Sequence, residues 1–272
     1  MVSLEDACVS FPGGIAALKN VSLTAKPGEF TVILGRSGAG KSTLLRCCNY
    51  LQKLDQGRVL IDGKELLAEK QIRAHRRRTA MIFQLHHLIS RKTALDNVLA
   101  GRLGHYGFLR SLLPFSQKDV ELALRSLERV DILDKANTRV AKLSGGERQR
   151  VAVARGLVQQ PQIILADEPV ASLDPVTARS VLQILQDICR TDKTTTLITL
   201  HQVELAREFG ERIIGMCEGE VVFDGPPAQL NDAAIKKIYP HGEHATSPET
   251  AEKRKLLMLA CSGSEISAYV DD

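Results

Sequence analysis

The chain reads as an α/β protein: an antiparallel β apron leading into a mostly parallel sheet, with a helical insertion. Three observations predict this. A glycine-rich loop stands between an apolar run and a helix-prone segment, a later apolar strand ends in adjacent carboxylates, and strand alternation yields to helical periodicity after residue 85. At 272 residues, 44% hydrophobic and 25% charged, the chain can bury a substantial core. Boundaries are expected at 1–239 for the domain, about 85–155 for the inserted helical subdomain, and 240–272 for a polar linker and short helical tail.

Residues 2–11 and 20–26 read as strands split by the turn Pro12-Gly13-Gly14, and Pro27-Gly28 leads into the apolar run Phe30 to Leu34. Phe11 ends the first strand. An aromatic face there can stack on an adenine ring or fill the strand's own apolar side, and spacing does not choose between them. The loop Gly35-Arg36-Ser37-Gly38-Ala39-Gly40-Lys41-Ser42-Thr43 follows, then a helix-prone stretch from Leu44 to Leu51. Glycines let the backbone turn its N–H groups inward, and the helix that follows adds its positive end, so GxxxxGK[ST] wraps phosphate oxygens. In that motif Lys41 neutralises the β- and γ-phosphates and the Ser42 hydroxyl ligates Mg²⁺.

Short strands are expected at Arg58 to Ile61 and at Thr79 to Phe83, the second ending at Gln84. The basic run IRAHRRR just before it lacks interleaved aromatics and reads as a solvated surface. In VELALRSLERVDIL, Val120, Leu124, Leu127 and Val130 recur every three or four residues, as on a helix. Leu143-Ser144-Gly145-Gly146-Glu147 then opens the helix RQRVAVARGLVQQ, which Pro161 stops. A serine and two glycines at a helix start form a second anion-ready terminus, or an ordinary N-cap.

The strand Ile163 to Ala166 ends in Asp167 and Glu168. The first carboxylate can hold a Mg²⁺ shell and the second can polarise a water. Asp174-Pro175 begins another helix. Thr194 to Leu200 is a β-branched strand ending at His201. A lone histidine there is usually structural, but beside the carboxylate strand an imidazole can contact a γ-phosphate or orient water. Strands at Arg212 to Met216 and Val221 to Phe223 finish the sheet.

Other classes are excluded by composition. Six cysteines fall without C-x-x-C pairs or matching histidines, so neither a zinc site nor a disulfide framework is expected. No apolar run approaches the roughly eighteen residues a bilayer requires, so any membrane association is expected to run through a partner.

In this order, GRSGAGKST, IFQ, LSGGERQR, IILADEP, SLD and the strand-end His201 resemble the nucleotide-binding subunit of ATP-binding cassette transporters, over about residues 2 to 239. The resemblance implies a RecA-like P-loop NTPase core, ATP and Mg²⁺ as cofactors, and a second copy of the chain bound head to tail. Ser144, Gly145 and Gly146 of one copy would complete the site around Lys41 and Ser42 of the other. It further implies Phe11 on adenine, Gln84 reaching the Mg²⁺ and attacking water, Asp167 supporting the metal and Glu168 as general base. His201 would sense the γ-phosphate and Asp174 would link the dimer.

The same resemblance implies transmembrane permease subunits gripped by the helical insertion, at the cytoplasmic face of a bacterial cell membrane. The stretch from Asn97 to Val130 and Gln202 after the histidine are similar to the ATPase of phosphonate importers, which implies a periplasmic phosphonate-binding protein as an indirect partner. Two features depart from that type: LSGGERQR stands where LSGGQQQR is usual, and the chain continues past Tyr239. Phosphite or another oxyanion is the alternative cargo. A cassette ATPase acting on nucleic acid or ribosomes is the alternative of another class, but its long coiled-coil insertions or second cassette are missing, and no nucleic-acid partner is expected.

Overall fold

The computed structural model describes residues 1–83, 87–107 and 113–240. Its strands form two sheets. In the first, β1 (Val2–Phe11) pairs antiparallel with β2 (Ile15–Ala25) and with β4 (Gln56–Ile61), and the two-residue β5 (Lys64–Glu65) closes the edge. One face is apolar, with Val2, Leu4, Ala7 and Val9 buried, and this apron packs with Leu44 and Leu45 of α1 (Lys41–Cys48). Strand β2 starts five residues earlier than its sequence suggests. Ile15 and Ala16 are exposed there and give no burial signal, yet Ile15 still pairs with Phe11.

The second sheet has the order β10-β9-β3-β8-β7-β6. Strands β3 (Phe30–Leu34), β6 (Thr79–Ile82), β7 (Ile163–Ala166), β8 (Thr195–Leu200) and β9 (Arg212–Cys217) run parallel, and β10 (Glu220–Gly225) is an antiparallel edge. Every residue of β3, β7 and β8 is buried, as expected of parallel strands covered on both faces. Because these three are neighbours, the loops leaving their carboxyl ends emerge side by side. That edge is where open α/β sheets hold ligands.

Between β6 and β7 the described residues are helices and turns, with one isolated bridge, Thr93 to Arg139. Helices α3 (Ala94–Ala100), α4 (Gln117–Glu128) and α5 (Gly145–Leu157) bury Val98, Leu127, Val151 and Ala154 in one cluster that continues through Ile82 into the sheet. Of the four periodic positions, Leu127 and Val130 are buried while Val120 and Leu124 are half-buried. The basic run forms a helix, α2 (Glu69–Arg77), that periodicity did not reveal because His75 is its single buried residue. Arg73, Arg77 and Arg78 are exposed, whereas Arg76 donates to the carbonyls of Asn49 and Tyr50. Among the described residues no helix is long and apolar enough to cross a membrane.

Candidate active site

The loop after β3 adopts a conformation that depends on Gly40. Its φ of 98° lies in the left-handed region, and an added Cβ would sit 2.2 Å from the Ala17 carbonyl oxygen. Gly40 also caps α1 without any side-chain hydrogen bond, and the N–H groups of Lys41, Ser42 and Thr43 have no partner among the described residues. This end of α1 therefore presents bare donors and the positive end of a dipole. Lys41 is 3% exposed, and its Nζ donates to Gly35 O at 2.8 Å and Arg36 O at 2.9 Å. Burial lowers its pKa, and the charges of Glu168 and Asp167 oppose that shift.

Strand ends β7 and β8 bring the acidic groups to this loop. Ser42 Oγ donates to Asp167 Oδ1 at 2.8 Å, and Thr199 Oγ1 donates to the same oxygen at 3.0 Å. Thr199 Oγ1 in turn accepts the Glu168 N–H at 2.8 Å, so one hydroxyl holds the Asp167 carboxylate and the Glu168 backbone. Sequence reading missed Thr199. A polar residue in an apolar strand, two places before His201, was the available signal. Oxygen donors from Ser42 and from Asp167, 6% exposed, suit a hard cation such as Mg²⁺.

Glu168 holds a left-handed backbone, φ 48°, which costs about 1 kcal/mol for a non-glycine residue. Its Oε1 lies 2.5 Å from His201 Nε2 and 3.8 Å from Lys41 Nζ. The hydrogen bond from His201 holds the carboxyl below its ordinary range; burial opposes this, and the charges of His201 and Lys41 assist it. His201 Nδ1 faces Gly35 O at 3.2 Å and must donate, since a carbonyl only accepts. The imidazole therefore stands between the Gly35 carbonyl of the phosphate loop and the Glu168 carboxyl, within hydrogen-bond reach of both.

A cavity of 370 Å³ opens over these groups, lined by Phe11, Ser37, Lys41, Ser42, Thr43 and Glu168 among others. Phe11 is 37% exposed at its mouth, which removes the reading of a core aromatic. Ser144 caps α5, accepting the Glu147 N–H at 3.2 Å while its own N–H donates to Glu147 Oε2 at 2.7 Å. Asp174 caps α6 (Pro175–Asp192) through the N–H groups of Val176 and Thr177, and its pKa is lowered first by the Thr177 side chain and then by the Thr177 N–H. Ser144, Gly145, Gly146 and Asp174 line a second cavity of 640 Å³ that shares no residue with the first. Within one chain the two helix ends are not brought together. Gln84 lies outside the described residues.

Residues 18–171 match the family model described as ABC transporter. A phosphite import ATP-binding protein from Stutzerimonas stutzeri is 52% identical over 95% of this chain and 94% of its own length. A phosphonates import ATP-binding protein from Trichodesmium erythraeum is 52% identical over 88% of this chain and 95% of its own. Among solved structures, a dimeric ATP-binding cassette in a post-hydrolysis state with ADP and Pi bound aligns with a TM-score of 0.74 at 36% identity, over 84% of this chain and 99% of that one.

Proposed function

The chain belongs to the ABC transporter family of ATP-binding proteins, and from that premise we propose that it is the ATP-hydrolysing subunit of a phosphonate importer, working as a head-to-tail pair. The observation that carries this reading is the continuous set of contacts from Ser42 through Asp167, Thr199 and Glu168 to His201, at the ends of three adjacent strands.

Phe11 stacks on the adenine, and the N–H groups at the start of α1 together with Lys41 wrap the phosphates. Ser42, Asp167 and Gln84 would hold Mg²⁺, which would supply charge neutralisation for the phosphates. Glu168 accepts a proton from the attacking water, helped by a lowered pKa that keeps it ionised. As the water oxygen bonds to the γ-phosphorus, the bond to the β-bridging oxygen breaks, leaving ADP and phosphate. His201 keeps Glu168 in place and contacts the γ-phosphate. Ser144, Gly145 and Gly146 of the second copy present their helix end to the same γ-phosphate, and Asp174 links the two copies.

Closure of the pair around ATP and its release after hydrolysis move the helical subdomain at about 85–155, with Gln84 as the relay, and that subdomain drives transmembrane permease subunits. The subunit sits at the cytoplasmic face of the membrane and a periplasmic binding protein delivers the cargo. Residues 1–239 form the cassette and 240–272 an appendage. Phosphite is the second reading for cargo, favoured by the Stutzerimonas stutzeri relative. The length of the match does not separate the two, because a phosphonates import protein of Cupriavidus metallidurans also aligns over 260 residues.

ATPase assays and light scattering on the wild type and Glu168→Gln test the mechanism. Turnover should fall about 100-fold or more, with ATP-dependent dimers persisting in the variant. Monomers at every ATP concentration would sink the paired site. For cargo, a deletion strain should fail to grow on methylphosphonate as sole phosphorus source; growth lost on phosphite alone would select the second reading, and growth unchanged on both would remove the assignment.

A further inference from the structure

The last described helix, α7 (Asp232–Ile238), is too short to hold its own position and is seated by its neighbours. Asn231 caps it through the Ala234 N–H at 3.0 Å. At the other end, Ile238 is fully buried against Gly215 of β9, so close that a Cβ on that glycine would fall 2.3 Å from Ile238 Cδ1. Gly215 pairs in register with Leu34, the residue before the phosphate loop begins. The close approach allowed by Gly215 thus delivers the next side chain, Tyr239, beneath the strand ends that carry the site.

Tyr239 is 2% exposed, and its ring belongs to the main core cluster. Its hydroxyl donates to the His201 backbone carbonyl at 3.1 Å. Gly35 is the residue whose carbonyl receives both Lys41 Nζ and His201 Nδ1. The phenol thus holds the His201 backbone at the end of β8, and through the His201 imidazole that end meets Gly35 O at the end of β3, 166 residues away in sequence. Phenylalanine would fill the same volume without that hold on His201. Burial raises the phenol's pKa to about 12, so the hydroxyl stays protonated as donor throughout the working pH range.

We propose that Tyr239 is a positioning residue for ATP hydrolysis, setting the distance and angle of His201 relative to the phosphate loop. The inference rests on the role given above to the Glu168–His201 pair. Tyr239 touches neither nucleotide nor reacting atoms; it acts through the His201 backbone. Misplacement of the imidazole affects the chemical step, while the loop N–H groups and Lys41 that bind the phosphates stay where they are.

The test is the full chain carrying Tyr239→Phe. Turnover at saturating ATP should fall about tenfold, with KM for ATP and ATP-driven pairing altered less than about twofold and Tm within a few degrees of wild type. That split between kcat and KM is the readout a purely structural role would not give. Tyr239→Leu, which removes the ring as well, should share the kcat loss and add a drop in Tm. Unchanged kcat in Tyr239→Phe overturns the inference, and so does a decline in which kcat, KM and Tm move together. Glu168→Gln assayed in parallel separates the two levels. If it abolishes turnover while Tyr239→Phe does nothing, only the positioning role fails; if it leaves turnover intact, the reading beneath it fails too.

Discussion

Two helices in this chain begin beside glycines, and their amino-ends are finished differently. The end of α1 is bare: its cap is Gly40, no side chain bonds to its first turn, and Lys41 is buried beside it. The end of α5 is already closed by a reciprocal pair, Ser144 and Glu147, that satisfies two backbone donors from within the chain. A bare end leaves its donors unpaired until a ligand comes, whereas a capped end is stable alone and keeps only the N–H groups of Gly145 and Gly146 for a visitor. The first end can bind phosphate in an isolated chain. The second, in the head-to-tail pair proposed above, completes a site that another copy has filled.

That contrast can be broken at several points. The largest effect should come from Gly40→Ala: the left-handed backbone and the nearby Ala17 carbonyl leave no room, and ATP affinity should fall about 100-fold or more by calorimetry. Retained binding would show that the bare end is not the primary site. Ser144→Ala should leave ATP binding to the single chain within about twofold. Its turnover should drop about tenfold, and stability by about 1 kcal/mol from the lost cap, read by denaturant titration. Equal losses of binding and turnover would erase the distinction between the ends.

The smallest effect is an acid titration away from both ends. Asp119 is pushed up by burial, but hydrogen bonds from Ser116, Tyr106 and Arg102 outweigh this and hold it well below the carboxylate range. A depressed folded pKa contributes stability that is complete above the unfolded value near 4 and is lost as pH falls through the folded value. Asp119→Asn should therefore cost about 2 kcal/mol at pH 7 and progressively less below about pH 4, with turnover per folded molecule unchanged. A variant that instead altered ATP binding would show that this knot in the helical region feeds the nucleotide site.

Much of this was legible in the chain itself, because period-two and period-3.6 burial and the glycine and carboxylate signatures are local properties. They placed the phosphate loop, the strand ending in Asp167 and Glu168, the serine-glycine-glycine helix start and the strand before His201. Where burial leaves almost no periodic trace, as in α2 with only His75 inside, the helix went unseen. Only the tertiary structure decided that Phe11 stands exposed at a cavity mouth, that Thr199 holds the Asp167 carboxylate and the Glu168 N–H, and that Tyr239 anchors the His201 backbone. It also set the two helix ends on separate cavities. Periodicity records which way a side chain faces on its own element. Ser42 and Asp167, 125 residues apart, meet because of how parallel strands order in the sheet, and no local pattern carries that order.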